Sequence, residues 1–576
     1  MNTESAESKD FEKQIYSEDV ASAEALNMGD ALKESQAGDD QRLKRVLHAR
    51  HLSMIAIGGA LGTGLLIGTG NALRLAGPAA IFLSYSVIGF VVYMVLTGLG
   101  EVATHIPLAD GFAGYCRRYV DEALGFACGW TYLFLQLLVT ANQLVAGSLT
   151  MQYWIDEERA NPGIWIAVFL TVSTTINVLG VRFFGEVEFW VCIVKICTCI
   201  GLVILLLVIA LGGGPSGDRL GFRFWQNPGA FRAYTEPERG VNIEGDLGRF
   251  VSFISVLVNS VFAYSSCEMV GVTFPECARP RKAIPKAIRL TFYRIVIFYV
   301  LNVLVLGMCV PFDDPRLLGT SGTNASASPF VIAIFNAQIQ GLDHVINACI
   351  LIFVTSAAVA DMYIGSRTLY GLSMSGYAPK FFSKTDKRGV PYWGIVLAFG
   401  FGCLAFMATS SDSAEVFQHF VNVVSLNGLL AWSCILLVHV RFMRALKAQG
   451  YDRKKDLAFR SPIQPFGTYF SLGICVFVIF AKNFTVFLGS PFDYETFITG
   501  YIMLPVFIVL FLGWKFWHKT RFVRASEIDL TSFKEAFDIQ EEKFLAQDEE
   551  DKAARRAAGN PINLKWLYEK IFGWVF

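Results

Sequence analysis

Charged residues are scarce in this chain. Asp, Glu, Lys and Arg make up 17% of its 576 residues, with a formal net charge of zero, whereas soluble domains carry roughly 25% of such residues. The charged residues also gather between long apolar runs instead of being spread along the chain. No basic stripe with interleaved aromatic residues occurs, so nucleic acid is not an expected partner. This pattern indicates a protein that crosses the lipid bilayer many times.

Motifs for cofactors and metals are missing as well. The seven histidines form no metal-ligand pattern, and the chain lacks the Walker motif for ATP and the strict GxGxxG spacing for dinucleotides. Most of the twelve cysteines lie inside apolar runs without zinc-like spacing, and we interpret them as small buried apolar residues. We therefore expect neither an enzyme nor a bound cofactor or metal.

The start of the chain lacks the apolar core of a signal peptide, so the first apolar helix must direct insertion. We expect three parts: an N-terminal tail at 1–50, a membrane domain at 51–518 and a C-terminal tail at 519–576. Both tails are charged and poor in aromatic residues, which predicts disorder or only local helix.

The membrane domain contains twelve apolar runs near or above the roughly 20 residues that a crossing helix needs. The predicted spans are 52–74, 78–100, 123–151, 163–180, 187–211, 249–273, 290–311, 343–371, 392–409, 416–440, 465–486 and 493–517.

Lysine and arginine are distributed unevenly between the connecting segments. Segments predicted on one side include "QRLKRVLHAR", "RPRKAIPKAIR" and "RFMRALKAQGYDRKK", whereas segments predicted on the other side contain no lysine. The positive-inside rule then predicts that both termini are cytoplasmic. The outside loop after the seventh span holds a glycosylation sequon at Asn324, and the sequence leaves open whether it is used.

The first span, "HLSMIAIGGALGTGLLIGTGNAL", is rich in glycine, including Gly58, Gly59, Gly62 and Gly64. Each glycine inside a helix costs about 1 kcal/mol relative to alanine. One interpretation is close helix packing, which small residues allow. The other is a broken helix whose free peptide groups bind a ligand inside the membrane.

The sixth span, "SVLVNSVFAYSSCEMVGVT", favours the broken-helix interpretation. Ser265, Ser266 and Cys267 are poor helix formers, and Glu268 is an ionisable residue at membrane depth, where such residues are costly and usually functional. Interruptions at matching places in two halves are typical of a transporter site, so spans one to five and six to ten are expected to be inverted repeats. Free N–H groups would attract a carboxylate and free carbonyls an ammonium group, which together suit an amino acid.

Other polar residues inside the predicted spans have two interpretations each. Lys195 is either a proton-titrating group beside the site or a structural partner of a carbonyl or carboxylate. Asp361 either carries protons or braces the scaffold. Four further residues could either act in substrate binding or gating, or only anchor neighbouring helices. They are Glu101, Asn142, Gln143 and Arg367.

Several long motifs resemble those of the fungal amino-acid permeases in the amino acid–polyamine–organocation superfamily. They are "GGALGTGLLIGTG", "GEVEFW", "FAYSSCEMVG", "ARPRKAIPKAI" and "IGSRTLYGLSMSGYAPKFF", and the resemblance runs from about residue 42 to 520. It implies an all-α membrane protein with twelve transmembrane helices in a LeuT-like five-plus-five inverted repeat, with helices 1 and 6 broken. It also implies a plasma-membrane permease that takes up amino acids together with protons.

The resemblance also implies roles for individual residues. Gly62, Thr63 and Gly64 would bind the substrate carboxylate, and Phe262, Ala263 and Tyr264 would supply carbonyls for the amine and a gating aromatic ring. The full expected substrate site is Gly58, Gly59, Gly62, Thr63, Gly64, Phe262, Ala263, Tyr264, Ser265 and Ser266. Lys195 would couple transport to protons, and the intramembrane carboxylate Glu268 is the second expected proton-coupling residue. Ubiquitin ligases would act on tail lysines, for which Lys9, Lys13 and Lys33 are candidates.

Within that family, "ANQLVAGSLTMQYWIDEERANPG" and "GGGPSGDRLGFRFW" look most like the dicarboxylic amino-acid permeases, which take glutamate and aspartate. The family's usual Gly-Thr-Glu-Leu in span six is replaced here by the residues from Ser266 to Met269, and this departure leaves the substrate range open. The alternative functions are an amino-acid sensor, an exchanger, or a carrier of other small cationic amines.

Overall fold

The computed structural model describes residues 62–106, 108, 111–215, 217–273, 280–317, 328–410 and 412–532, together with 542, 545–546 and 549–550. This part of the chain is mostly helical, and eleven of its helices are long and apolar enough to cross a membrane. The prediction of a helical protein with many membrane spans is confirmed. The first predicted span is described only from residue 62 onward, where it forms two short helices.

In the first half of the chain the helices and strands run from α1 to α7 and then through a small β-hairpin. Their bounds are α1 Thr63–Leu66, α2 Gly68–Ala76, α3 Pro78–His105, α4 Gly111–Tyr119, α5 Glu122–Met151, α6 Pro162–Leu179, α7 Val181–Ala210, β1 Thr235–Glu236 and β2 Val241–Asn242. Short π and 3-10 turns lie at Trp225–Gly229 and Pro237–Arg239.

In the second half, the elements of the described residues are all helical. Their bounds are α8 Gly245–Ser255, α9 Leu257–Tyr264, α10 Met269–Thr273, α11 Pro280–Arg294, α12 Asn302–Cys309, α13 Pro329–Asn336, α14 Leu342–Met374, α15 Tyr392–Gly402, α16 Ser413–Ala448, α17 Phe466–Ala481, α18 Tyr494–Tyr501 and α19 Met503–His518. A π-helical segment, Ile295–Leu301, joins α11 to α12, and 3-10 turns lie at Lys380–Ser383, Cys403–Thr409 and Phe484–Phe487.

The helices divide into an interior set and a peripheral set. In the most apolar stretch of α16, 83% of the residues are buried, whereas the corresponding figure for the α18–α19 span is 11%. Helices α14 and α16 both pack along α5, and this group of three holds the centre of the bundle. The peripheral helices expose large apolar side chains such as Trp190 and Val509, as expected for surfaces that face lipid.

Several helices extend beyond the predicted spans. The fifth span begins at Val181 instead of residue 187, and the tenth runs from Ser413 to Ala448 instead of from 416 to 440. Hydropathy detects only the apolar middle of a span, whereas the helix continues until its capping residue, which is Gly180 with a φ of 106° for α7. The longer α7 includes Glu188, which becomes important for the site.

The loop after α7 departs from the all-α expectation. Thr235 pairs with Asn242 and Glu236 pairs with Val241 in a two-stranded antiparallel hairpin. The turn between the strands closes at Gly240, whose φ of 69° suits a residue without Cβ. The hairpin is too short to alter the fold class, but it orders a loop that lacks any apolar periodicity.

The segment 519–532, which we name the C-terminal strap, packs on the bundle end formed by α4 and the first turn of α5. The Val523 N–H donates a hydrogen bond to the Val120 carbonyl at 2.9 Å, and Arg118 forms an ion pair with Asp529 at 3.0 Å. Ile528 and Leu530 are buried. The sequence predicts disorder or local helix for all of 519–576, but this part of the tail is tied down by apolar and polar contacts that its composition does not reveal.

Candidate functional site

The backbones of α1 and α9 approach each other closely at Gly64. A Cβ added to Gly64 would lie 2.4 Å from the Ala263 Cα and 3.1 Å from the Phe262 ring. Such distances leave no room for any side chain, so glycine is required here for the approach of the two backbones. The Tyr85 hydroxyl on α3 donates to the Gly64 carbonyl at 3.4 Å, which ties the same turn to a third helix.

The sixth predicted span is interrupted at residues 265–268, as its sequence predicts. Helix α9 ends at Tyr264, α10 begins at Met269, and Ser266 between them has a φ of 68°. A non-glycine residue with positive φ is uncommon and costs roughly 1–3 kcal/mol, and such strain tends to occur at functional sites. Turn hydrogen bonds replace the helical ones, as the Cys267 N–H donates to the Tyr264 carbonyl at 3.2 Å.

A small cavity lies where these two segments meet α5 and α14. It is lined by Gly62, Thr63, Gly64, Val139, Gln143, Phe262, Ala263, Ser265, Ser266 and Asp361. Its volume is about 20 Å³, enough for one water molecule and far below the ~300 Å³ at which ligand sites begin. An amino acid would enter only after the surrounding helices move apart.

Polar groups that face the cavity are not all satisfied by the protein. Among the described residues, the Thr63 hydroxyl and the Gln143 amide oxygen have no hydrogen-bond partner, although both side chains are buried. A buried polar atom without a partner costs roughly 1–3 kcal/mol. A polar ligand in the cavity would supply the missing partners.

Asp361 brings a carboxyl group to the cavity wall. Its Oδ1 accepts a hydrogen bond from the Ser266 hydroxyl and its Oδ2 accepts one from the Gln143 amide, each at 3.4 Å. The carboxyl therefore connects α14 to the interruption of the sixth span and to α5. Lys195 on α7 lies near enough to interact with Asp361 electrostatically.

Lys195 itself is buried behind the cavity and does not line it. Its ammonium nitrogen lies 3.5 Å from Oε1 of Glu188, which stands seven residues earlier on the same face of α7. The other Glu188 oxygen accepts a hydrogen bond from Ser356 on α14 at 2.5 Å. Lys195 thus has a carboxylate partner, Glu188.

Glu268 also lies behind the cavity wall. Its Oε2 accepts a hydrogen bond from the Trp432 indole on α16 at 2.8 Å, and its Oε1 has no hydrogen-bond partner among the described residues. Both side chains are fully buried. The glutamate thus links the interruption to the central helix α16.

The remaining predicted site residues are placed as follows. Phe262, Ala263, Ser265 and Ser266 line the cavity, whereas the Tyr264 side chain points away, stacks on Tyr299 at 4.4 Å and donates to the Tyr85 carbonyl. Of the two aromatic residues in this group, Phe262 lines the cavity and Tyr264 does not. Gly58, Gly59 and the sequon at Asn324 lie outside the described residues.

The sequence left the roles of two cavity residues undecided and missed a further pair of contributors. Gln143 and Asp361 were ambiguous because a buried polar residue can equally face a neighbouring helix. Val139 and Glu188 carried no separate signal, since valine is common in spans and Glu188 falls at the edge of an apolar run. The i to i+7 spacing of Glu188 and Lys195 was the available clue, because residues two helical turns apart share one face.

Polar residues at one end of the bundle form a second connected group. The Glu101 carboxylate accepts hydrogen bonds from Arg453 at 2.8 and 2.7 Å and from the Ser461 N–H at 2.7 Å. His439 on α16 lies 3.2 Å from the same carboxylate. Glu101 therefore anchors the α16–α17 connection to α3, which favours the anchoring interpretation over a mobile gate.

The sequence is similar to known proteins over nearly its whole length. Residues 51–527 match the family model described as amino acid permease. The dicarboxylic amino acid permease of Saccharomyces cerevisiae is 48% identical, covering 98% of this chain and 94% of the relative. From the same organism, the lysine-specific permease is 38% identical over 89% of this chain and 82% of the relative. The general amino-acid permease of that organism is 35% identical over 89% of this chain and 84% of the relative.

Proposed function

The chain belongs to the amino acid permease family, and on that premise we propose that it imports amino acids, preferentially glutamate and aspartate, together with protons. Proteins of this family are transporters and not enzymes. The proposed mechanism is alternating access, in which the site opens first to one side of the membrane and then to the other.

One observation carries the proposal. Two places where the backbone is not helical, the extended Gly62 that precedes α1 and the interruption around Ser266, border the same buried cavity. Irregular backbone inside a membrane persists only where protein or a polar cavity covers it. Peptide N–H groups can bind a carboxylate and peptide carbonyls can bind an ammonium group, so the pair suits the two charged ends of an amino acid.

The preference for acidic amino acids rests on similarity. The relative that is 48% identical is named for dicarboxylic amino acids, whereas the lysine-specific relative is 38% identical. An acidic amino acid carries a net charge of −1, and the inside-negative potential opposes its entry. Moving one charge across a potential of 100 mV changes the free energy by about 2.3 kcal/mol. Uptake therefore needs at least two protons for each acidic amino acid if the transported charge is to be net positive.

Lys195 and Glu268 remain the proposed proton-coupling residues. Both are buried next to the cavity wall, Lys195 beside Glu188 and Asp361 and Glu268 beside Trp432. Buried ionisable groups in a membrane are expensive, which supports a functional role. Lys195→Met is expected to stop or uncouple transport, and an unchanged dependence of uptake on external pH would remove Lys195 from the proton pathway.

The proposed arrangement in the cell follows from the sequence and the family. We propose twelve helices in a LeuT-like five-plus-five repeat with broken helices 1 and 6, in the plasma membrane, with both termini in the cytoplasm. The segments are a tail at 1–50, a permease domain at 51–518 and a tail at 519–576. Ubiquitin ligase machinery would act on the tails. Use of the Asn324 sequon would agree with this orientation.

Uptake of radiolabelled aspartate and glutamate into cells that lack their own carriers tests the proposal. We expect saturable uptake that a protonophore abolishes, and competition by acidic amino acids in a panel of all common ones. Cells with empty vector give the background. Uptake that persists after the proton gradient is collapsed would reject symport, and binding without uptake would indicate a sensor.

A further inference from the structure

Asp361 is the charged side chain of the candidate cavity, as far as its lining is described. We infer that Asp361 takes up a proton together with an acidic substrate and so supplies one of the protons that accompany its transport. The inference rests on the proposed function and deepens it. It assigns the extra proton to a residue of the cavity itself, separate from the Lys195–Glu188 pair behind the wall.

The two partners of Asp361 can accommodate both of its protonation states. The Ser266 hydroxyl can donate or accept a hydrogen bond, and the Gln143 amide offers both an N–H and an oxygen. Both contacts are long, at 3.4 Å, near the limit for a hydrogen bond. No tight donor therefore holds the carboxyl in its charged form among the described partners.

The nearby cation on α7 is already matched by a carboxylate. Lys195 and Glu188 form an ion pair at 3.5 Å, so the two contribute no net charge near Asp361. The Tyr132 phenol on α5 also interacts with the Asp361 charge. Asp361 is thus the charged group of the cavity lining when it is ionised, whereas Glu268 lies behind the wall against the Trp432 indole.

The 3-10 turn Lys380–Ser383 also packs on α14 and carries Lys380, beyond the C-terminal end of that helix. Helices α1, α6, α13 and α15 contain no Asp, Glu, Lys, Arg or His. On α14 itself, Arg367 is held by the Tyr363 ring and carbonyl, and Asp343 lies in the first turn at the far end of the helix. A second negative charge in the cavity would therefore meet Asp361 without a compensating cation.

An acidic amino acid brings such a charge. When two carboxylates share a confined site they do not both remain ionised, and one retains a proton. Binding of aspartate or glutamate next to Asp361 would then draw a proton onto this pair. The proton would stay with the substrate as long as the cavity is closed. It would be released into the cytoplasmic solvent when the site opens inward.

Asp361→Asn tests the inference because it mimics the protonated carboxyl with nearly the same shape. The assay uses the purified full-length protein in liposomes with imposed pH and voltage gradients, and measures the proton-to-aspartate ratio from the voltage at which net flux is zero. For the wild type we expect two or more protons per aspartate. For Asp361→Asn we expect that ratio to fall by one and the KM for aspartate to lose its dependence on outside pH.

The expected size of the effect is large. Loss of one cotransported charge lowers the attainable accumulation about fiftyfold at 100 mV, and about tenfold for each unit of pH gradient. Exchange of labelled for unlabelled aspartate without any gradient should continue in Asp361→Asn, because the substrate still binds and crosses.

Asp343→Asn is the matched control. It makes the same change on the same helix, at a residue that hydrogen-bonds the Tyr153 hydroxyl outside the cavity, and should leave the ratio unchanged. Asp361→Asn with a wild-type ratio, or with aspartate exchange abolished in well-folded protein, overturns the inference. If Asp361→Asn does not fold, the wild type decides by itself, since a ratio of one proton per aspartate excludes the extra proton.

The outcome separates this inference from the proposed function. A wild-type protein that moves no amino acid contradicts the proposed function, whatever Asp361 does. A wild-type protein that moves aspartate with protons, alongside an unaltered ratio in Asp361→Asn, contradicts only the role of Asp361.

Discussion

Gly64 is the residue at which α1 touches the backbone of α9. A Cβ there would stand 2.4 Å from the Ala263 Cα, so even alanine must push the two backbones apart. Overpacking of this kind typically costs about 1–3 kcal/mol. Because the displaced atoms belong to the cavity wall, we expect Gly64→Ala to reduce amino-acid uptake by about tenfold or more, measured as initial rate per transporter at the cell surface.

Gly201→Ala is the control for that substitution. Gly201 lies in α7, and a Cβ added to it would meet nothing within 4 Å. Its alanine variant should keep wild-type uptake and surface abundance. Normal uptake in Gly64→Ala would show that the contact between the two segments is not required for transport.

At the scale of elements, the C-terminal strap joins parts of the bundle that are distant in sequence. It contacts α3 through His105, whose Nε2 lies 3.0 Å from the Leu530 carbonyl, and α16 through Gln449, which donates to the Ile528 carbonyl at 2.7 Å. Thr520 of the strap hydrogen-bonds Asp121 at the start of α5, and so does Lys515 in the last turn of α19. The strap thus holds three helices together at one end of the molecule.

The carboxyl group of Asp529 in the strap is held in its ionised form at neutral pH. Burial opposes ionisation of Asp529, but hydrogen bonds from Ser532 and Thr531 and the charge of Arg118 outweigh it and hold the pKa of this carboxyl below its usual range. A lowered pKa in the folded state means that the contribution to stability is complete above the unfolded value of about 3.9 and is lost as the pH falls through the folded value. The contacts of Asp529 therefore do not weaken between pH 5 and 8.

Leu530→Ala tests the contribution of the strap to stability. Leu530 is 1% exposed, and a buried Leu→Ala change costs about 2–5 kcal/mol. We expect a lower melting temperature of the detergent-solubilised protein, measured by the loss of its monodisperse chromatographic peak after heating. Arg524→Ala, at a strap residue with 82% of its side chain exposed, should melt like the wild type. Equal melting of both variants would mean that the strap is not docked.

At the scale of the whole molecule, the proposed orientation assigns each connecting segment to one side of the membrane. The α8 start should face outside and the segment between α14 and α15 should face the cytoplasm. Asp246, with 97% of its side chain exposed, and Lys387, which is also exposed, lie in these two places. A membrane-impermeant maleimide should label Asp246→Cys in intact cells and label Lys387→Cys only after permeabilisation.

The labelling is done in a variant in which the exposed Cys197 and Cys403 are replaced by alanine. The protein with no added cysteine reports the remaining signal. Labelling of Lys387→Cys in intact cells would reverse the orientation that the positive-inside rule predicts.

The amino-acid sequence by itself determined the membrane class, the apolar middle of most spans and the interruption of the sixth. These features depend on local properties, because apolar length defines a crossing helix and Ser265, Ser266 and Cys267 weaken the helix where they stand. The glycines of the first span indicated a close approach, but they did not identify Ala263 as the residue approached.

Only the tertiary structure decided which polar residues share the site. Gln143, Ser266 and Asp361 come from separate parts of the chain, and their contact depends on how α5, α14 and the interrupted span pack together. Likewise, Tyr264 lies in the predicted motif but turns its ring toward Tyr299, and Glu188 matches the charge of Lys195. The pattern along one helix reveals which residues share a face, whereas the neighbour of that face is selected by packing between distant segments.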